Sequence, residues 1–368
     1  MIATIHIFAG GGTGGHLYPG LAVAEALRRV EPEAQIVFAC SDRPLDERIL
    51  APRADLGMVV QPVRPLPRRP GEVVGFLRAW RAARGLAREM LGDLRPAAVL
   101  GLGGFAAGPV VREAARRGIR CGLLNPDAVP GRANRYLARR VEAIFAGFDG
   151  VAARLPAAAR RKVRLVGCPV RRHIAEGRRT EAMGHFGLDA GRRTLLVLGG
   201  SSGAASINAA VAALADDLRT RADRWQVLHV TGPARADLPD DYPPTDAPVV
   251  APAYCRRMDL AYAAADLALC RAGAVTVAQL AAASTPAVLM PYPHHRDRQQ
   301  DHNAAELVAA GGAVVCGDAS DASANAARLS RTLLPLLDDD ARREAIAVAA
   351  GRCARSGAAE AVARWLAG

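Results

Sequence analysis

The sequence predicts an α/β chain of two doubly wound parallel-sheet domains, and three observations carry that prediction. Short apolar runs of strand length alternate with helix-period stretches through the whole chain. At 368 residues the chain exceeds a typical single domain. Two glycine-rich turns, at 10–15 and 199–204, each follow the first apolar run of one half, so the chain presents two similar halves with anion-type loops at matching places. Two facing sheets with a cleft between them follow from that repetition.

Residues 2–8 read as a buried strand and 21–27 carry apolar residues at helical spacing. FAGGGTGGHLYP, residues 8–19, is therefore a strand-to-helix turn holding Gly10, Gly11, Gly12, Gly14 and Gly15. Without Cβ atoms the backbone can approach a ligand closely, and the N–H groups and dipole of the helix favour a phosphate there. His16 lies at the mouth of that cradle. The same turn could serve tight packing alone, and Gly10, Gly12 and Gly15 match the dinucleotide fingerprint. That fingerprint wants an acid at the end of the second strand, 35–40, and the nearest is Asp42, late and beyond Ser41.

Further strands are expected at 58–63, 97–102, 119–124, 143–146 and 163–166. The turn GLGGFAAGP, 101–109, is either a second phosphate or substrate loop or a close strand–helix corner. Residues 64–90 lead through proline and arginine into a helix whose Val73, Val74, Phe76, Leu77 and Trp80 crowd one side, ringed by Arg78, Arg81, Arg84 and Arg88. Such a segment suits an anionic membrane or, equally, an ordinary packed helix. GCPVRR, 167–172, reads as a hinge, because Pro169 stops regular structure and the alternation restarts after it.

In the second half strands are expected at 194–198, 226–231, 248–251, 267–270, 287–290 and 313–316, with a proline- and aspartate-rich loop over 237–252. Residues 270–277 form a strand end, a glycine turn and a helix start with a free hydroxyl at Thr276. The loop 291–303 gathers three histidines, two aspartates and the amides Gln299, Gln300 and Asn303, suited to sugar hydroxyls and uracil. His294, His295 and His302 invite a metal reading, but adjacent histidines rarely share one face, and no metal is expected.

The net charge of +12 suits a polyanion, an anionic membrane surface or phosphorylated substrates, or reflects composition bias alone. Nucleic acid is disfavoured, since no helix-turn-helix or zinc finger is visible and aromatics make up only 4%. No run of 18 apolar residues and no leader pattern is present, so neither a membrane span nor a signal peptide is expected. Seven dispersed cysteines without a CxxC pair read as reduced thiols.

Together, GGGTGGHLYPGLAVAEAL, GLGGFAAGP, GCPVR, GGSSGAASIN, CRAGAVTV and DRQQDHNA make the chain resemble, nearly end to end, the MurG family of inverting GT-B glycosyltransferases. That family adds N-acetylglucosamine from UDP-GlcNAc to the C4 hydroxyl of undecaprenyl-pyrophosphoryl-MurNAc-pentapeptide in peptidoglycan synthesis. The resemblance implies a GT-B fold of two Rossmann-like domains: 1–167, binding the acceptor and associating with the membrane, with a C-terminal helix within about 348–368 packing back on it, and 168–347, binding the UDP-sugar donor. It implies His16 as catalytic base. Donor contacts would fall on Thr13, Gly14, Gly15, Asp127, Arg171, Ser201, Ala274, Val275, Thr276, Gln279 and Gln300. Gly12, Gly103, Gly104, Phe105, Asn134, Asn208, Arg271 and Gln299 would be acceptor-side or supporting positions. The expected partners are UDP-GlcNAc, a polyprenyl-diphosphate-linked acceptor, an anionic membrane surface on the cytoplasmic side and the cell-wall synthesis machinery, with no cofactor.

The chain departs from the family pattern in three places. The HEQN stretch after the fifth strand is here Leu124, Asn125, Pro126 and Asp127, so an acid replaces the donor-contacting Asn. The ribose-binding Glu is Gln279, and the Tyr of GGY is Phe105. Loss of HEQN bears on the acceptor chemistry, and a related transferase with another acceptor, or a protein of impaired activity, is the alternative.

Overall fold

The computed structural model describes residues 4–67, 69–201, 203–232 and 248–368, and among these every expected strand is found. The loop expected over 237–252 lies mostly outside the described residues. The chain divides into two compact units, Met1–Arg171 with Gly357–Gly368, and Arg172–Ser356.

The first unit is a seven-stranded parallel sheet made of β1 (Ile5–Gly10), β2 (Gln35–Cys40), β3 (Gly57–Val60), β4 (Ala98–Gly103), β5 (Arg120–Asn125), β6 (Ala143–Ala146) and β7 (Val163–Leu165). Its order is β3-β2-β1-β4-β5-β6-β7, so the order reverses between β1 and β4. The strands read as continuous apolar runs because helices cover both faces. Phe8 of β1 stands opposite Phe38 of β2, their rings 5.3 Å apart, and helix Gly14–Val30 lays Leu17, Leu21 and Leu27 on the same cluster. The last helix, Ala358–Ala367, packs on that helix: Val362, Ala363 and Leu366 join the core, and the Trp365 ring meets Phe145 edge-on at 5.4 Å.

The second unit is a six-stranded parallel sheet made of β8 (Arg193–Leu198), β9 (Trp225–Val230), β10 (Val249–Val250), β11 (Leu267–Cys270), β12 (Ala287–Leu289) and β13 (Val314–Val315). Its order is β10-β9-β8-β11-β12-β13, again reversing beside the first strand, here between β8 and β11.

The unit boundaries differ from those expected at 167/168 and 347/348. Residues 168–171 stay with the first unit, where the Arg171 guanidinium sits 5.3 Å over the Tyr18 ring. Residues 348–356 belong to the second, because helix Asp340–Arg352 buries Ile346 in that unit's core.

The basic segment forms the expected helix, and its two halves are buried unequally. Helix Val73–Leu94 buries Ala83, Ala87, Met90 and Leu91, while Val73, Val74 and Leu77 stay exposed at 40%, 58% and 42%. Phe76 and Trp80 are half-buried and stacked, and a Cβ on Gly108 would meet Trp80 at 2.8 Å. Two of the four ringing arginines, Arg84 and Arg88, grip buried Glu113 together with Arg116. Burial alone would raise the Glu113 pKa, but these arginines hold it below the usual carboxylate value. Among the described residues no helix is long and apolar enough to cross a membrane.

Candidate active site

In an open parallel sheet, ligands collect beyond the carboxyl ends of the strands where the strand order reverses. In the first unit that point lies between β1 and β4, and both strands end there in glycines. His16 stands in the first turn of helix Gly14–Val30, its Nδ1 3.0 Å from Thr13 Oγ1 and 3.2 Å from the Gly11 carbonyl. A carbonyl oxygen only accepts, so the Gly11 contact calls for a proton on Nδ1 and assigns the neutral ring the tautomer whose Nε2 keeps its lone pair.

The glycines after β4 make room for this ring. Gly103 and Gly104 sit at φ +102° and +71°, and a Cβ on Gly103 would lie 2.9 Å from His16 Cδ2 and 3.1 Å from Nε2. One on Gly104 would lie 3.2 Å from Cε1 and Nδ1. Any side chain here would be strained and would displace the imidazole. Burial lowers the His16 pKa from its ordinary 6.5, opposed by the charges of Asp127 and Asp46 and by the Gly11 hydrogen bond. The ring is thus a neutral base near pH 7.

The glycine turn itself departs from a simple anion cradle. The Gly12 N–H points inward, 2.8 Å from both oxygens of buried Asp46, so it is not offered to a ligand. Thr13 and Gly15 are exposed, Gly14 is buried, and Phe105 packs beside Gly12 while the Arg43 guanidinium lies 5.2 Å over its ring. Asn134 donates to the Leu124 carbonyl and to Asn125 Oδ1, both at 3.0 Å, and Asn125 donates to the Asp127 carbonyl at 2.7 Å. The segment that replaces HEQN is therefore tied by amides, with Asp127 half-buried and its charge felt by His16.

In the second unit the reversal lies between β8 and β11. The turn after β8 closes through Gly203 N–H to the Gly200 carbonyl at 3.0 Å, with Ser201 half-buried ahead of helix Ala205–Ala213. Asn208 on that helix is fully buried, accepting from His229 Nε2 at 2.9 Å and donating to the Thr231 carbonyl at 2.9 Å, which ties the helix to the end of β9. Arg271 is likewise enclosed: it donates to the Met290 carbonyl, to Asp318 Oδ2 at 2.8 Å and to Ser206 Oγ at 2.7 Å.

Ala274, Val275 and Thr276 open helix Ala274–Ala282 directly beyond β11. Gln279 on that helix is buried, and its Oε1 accepts from the Tyr262 hydroxyl at 3.2 Å. Gln299 and Gln300 open helix Gln299–Ala309, and Gln300 Oε1 accepts from the N–H groups of Ala272 and Tyr292 at 3.2 and 2.9 Å, linking the ends of β11 and β12. His294 and His295 turn their rings onto Tyr292, and His294 meets Ser320 Oγ at 3.2 Å.

Sequence reading missed Asp46, Tyr262 and Asp318, each of which fixes a residue it had found. Only Asp46 left a trace, as an acid in the first turn of the helix after β2.

Models of the glycosyltransferase family 28 N-terminal and C-terminal domains match residues 6–146 and 194–364. A curated relative from Acidothermus cellulolyticus, 42% identical and covering 95% of this chain and 93% of its own, is a UDP-N-acetylglucosamine--N-acetylmuramyl-(pentapeptide) pyrophosphoryl-undecaprenol N-acetylglucosamine transferase. A relative of the same description from Mycolicibacterium smegmatis is 38% identical over 97% of this chain and 92% of its own. Among solved structures, Acinetobacter baumannii MurG superposes with a TM-score of 0.71 at 24% identity, covering 99% of each chain. A UDP-GlcNAc 2-epimerase from Neisseria meningitidis bound to UDP-GlcNAc reaches 0.68 at 15% identity and full coverage of both chains. The resemblance and the pair of Rossmann-like parallel sheets read from the motifs are borne out, and the chain belongs to glycosyltransferase family 28.

Proposed function

We propose that this chain is an inverting glycosyltransferase that moves GlcNAc from UDP-GlcNAc to the C4 hydroxyl of undecaprenyl-pyrophosphoryl-MurNAc-pentapeptide. The observation that carries the chemistry is His16, a neutral imidazole whose Nδ1 is held by Gly11 and whose Nε2 is a free base at the switch point of its sheet. The substrates follow from relatives whose names state them across nearly the whole chain. In this reading the first unit takes the acceptor and the second the donor. As the acceptor oxygen bonds to the anomeric carbon, Nε2 takes its proton and the bond to the UDP oxygen breaks with inversion. The charge developing on UDP would be met by the helix start beyond Ser201, while Gln279 and Gln300 address the nucleoside.

The test is UDP release from UDP-GlcNAc with the lipid-linked acceptor, read together with the mass of the disaccharide product. Turnover only with a different acceptor would favour a related transferase, the reading that Asp127 in place of the family Asn supports. No UDP release with any acceptor would overturn the assignment.

In this reading a lipid-linked acceptor calls for work at a membrane surface, on its cytoplasmic side. Val73, Val74 and Leu77 supply an exposed apolar edge, and Arg78 and Arg81 are exposed cations of the same helix, whereas Arg84 and Arg88 pair with Glu113. The protein is expected to co-sediment with anionic vesicles at low salt, to leave them at high salt and to ignore neutral ones. Protein remaining in the supernatant with anionic vesicles at low salt would remove this segment from docking.

A further inference from the structure

Asp46 is fully buried and lies 34 residues from the glycine turn, yet its carboxylate is built into that turn. Both oxygens sit 2.8 Å from the Gly12 N–H, and Oδ2 also accepts from the Ser41 N–H at 3.0 Å and the Ser41 hydroxyl at 2.6 Å. The space is reserved for it: a Cβ on Gly11 would fall 2.2 Å from Oδ2. A buried carboxylate is strongly unfavourable unless its oxygens are filled by donors, and here three fill them.

The Gly12 N–H belongs to the same peptide unit as the Gly11 carbonyl, and that carbonyl faces His16 Nδ1 at 3.2 Å. One peptide group thus joins the carboxylate on its N–H side to the imidazole on its C=O side. We propose that Asp46 is the positioning residue of His16, acting through the Gly11–Gly12 peptide to hold the ring with Nδ1 protonated and Nε2 free.

The physical basis is the polarisation of one hydrogen bond by the next. A carboxylate on the N–H end of an amide makes its carbonyl a stronger acceptor, and a stronger acceptor at Nδ1 fixes both tautomer and ring plane. This is the service that a carboxylate gives directly in a Ser-His-Asp triad, delivered here through a peptide. Arg43 donates to the Gly12 carbonyl at 3.0 Å and steadies the next peptide. The charges that act on the His16 ring are Asp127, from the loop after β5, and Asp46, from the helix after β2.

The inference rests on the catalytic role proposed for His16, but its first readout does not need turnover. Nitrogen NMR of labelled imidazoles, with His16 assigned by comparison with H16A, is expected to show an Nδ1–H tautomer in the wild type. Asp46→Asn is expected to mix the tautomers and, by removing a negative charge, to lower the pH at which His16 titrates. In turnover, Asp46→Asn is expected to reduce kcat by at least about tenfold with the KM for UDP-GlcNAc little changed, and to shift the acid limb toward lower pH. In the H16A background the same substitution is expected to cost almost nothing further.

An Nε2–H tautomer in the wild type would overturn the proposal even if every Asp46 variant failed to fold. An equal loss of kcat with and without His16, or an unmoved tautomer and acid limb in Asp46→Asn, would reduce Asp46 to scaffolding. Absence of turnover in wild type alongside the expected tautomer shift would instead sink the transferase reading and leave the relay standing.

Discussion

The turn after β1 encloses a carboxylate and presents a histidine, whereas the turn after β8 is underpinned by an ion pair that stays charged around neutral pH. In the first, Asp46 fills the space under Gly11 and His16 sits in the gap left by Gly103 and Gly104. In the second, Ser206 just beyond the turn donates to Asp318 at 2.6 Å and accepts from Arg271, and Arg271 pairs with Asp318 at 2.8 Å. Burial would raise the Asp318 pKa, but hydrogen bonds from Ser206, Asn325, the Ser320 N–H and Arg271 hold it at about 2. The two turns share a strand–glycine–helix signature and differ in what can titrate near neutral pH. A ring that titrates suits proton transfer, and a fixed network suits holding a charged leaving group.

The largest effect that would sharpen this contrast is expected at His16. His16→Ala should lower turnover of the lipid acceptor by at least about 100-fold, the usual scale for a general base, with UDP affinity little changed. In the wild type the acid limb of kcat should fall below pH 6.5, because the ring must lose its proton to act and its folded pKa lies under that value. An equal loss of UDP affinity in the mutant would make His16 a binding residue and erase the distinction between the turns.

A smaller effect is expected at the ion pair. Arg271→Ala leaves Asp318 buried without its cation and should destabilise the second unit by about 3 kcal/mol, read from denaturant unfolding. The pair's contribution should be flat from neutral pH down to the ordinary carboxylate value of 3.8 and be lost as pH falls through about 2, since the folded pKa is depressed. Wild-type-like unfolding of Arg271→Ala would show that the turn after β8 is held by packing alone.

The smallest is expected at Gln279, where Tyr262 occupies Oε1. Gln279→Ala should weaken UDP binding by about 1 kcal/mol, roughly fivefold, while Gln279→Glu keeps or tightens it and Tyr262→Phe weakens it less than Gln279→Ala does. Unchanged calorimetric affinity in all three would place the residue outside the donor site.

Much of the fold was legible because its signals are local. An apolar run of six residues, such as 35–40, is a buried strand wherever it falls in a parallel sheet, and glycines after a strand mark a turn whatever the ligand. His16 was legible for the same reason, as the polar residue next to such a turn. The basic helix was half legible. Its apolar edge shows in the spacing of Val73, Val74 and Leu77, but nothing local announces that Arg84 and Arg88 reach Glu113, more than 20 positions on.

What the sequence determined by itself is therefore the element order, the two matched halves and the family, all of which depend on periodicity and on motifs read within one turn of chain. What only the tertiary structure decided is which side chains complete those motifs. The sheet order β2-β1-β4 brings the ends of three strands together, so that Asp46 comes under Gly11, and Gly103 and Gly104 come against His16. That same convergence turned the Gly12 N–H away from any ligand and onto a carboxylate. A hydrogen bond needs its partners within about 3 Å, and contact at that range between residues 34 apart is set by the stacking of strands, not by the residues between them.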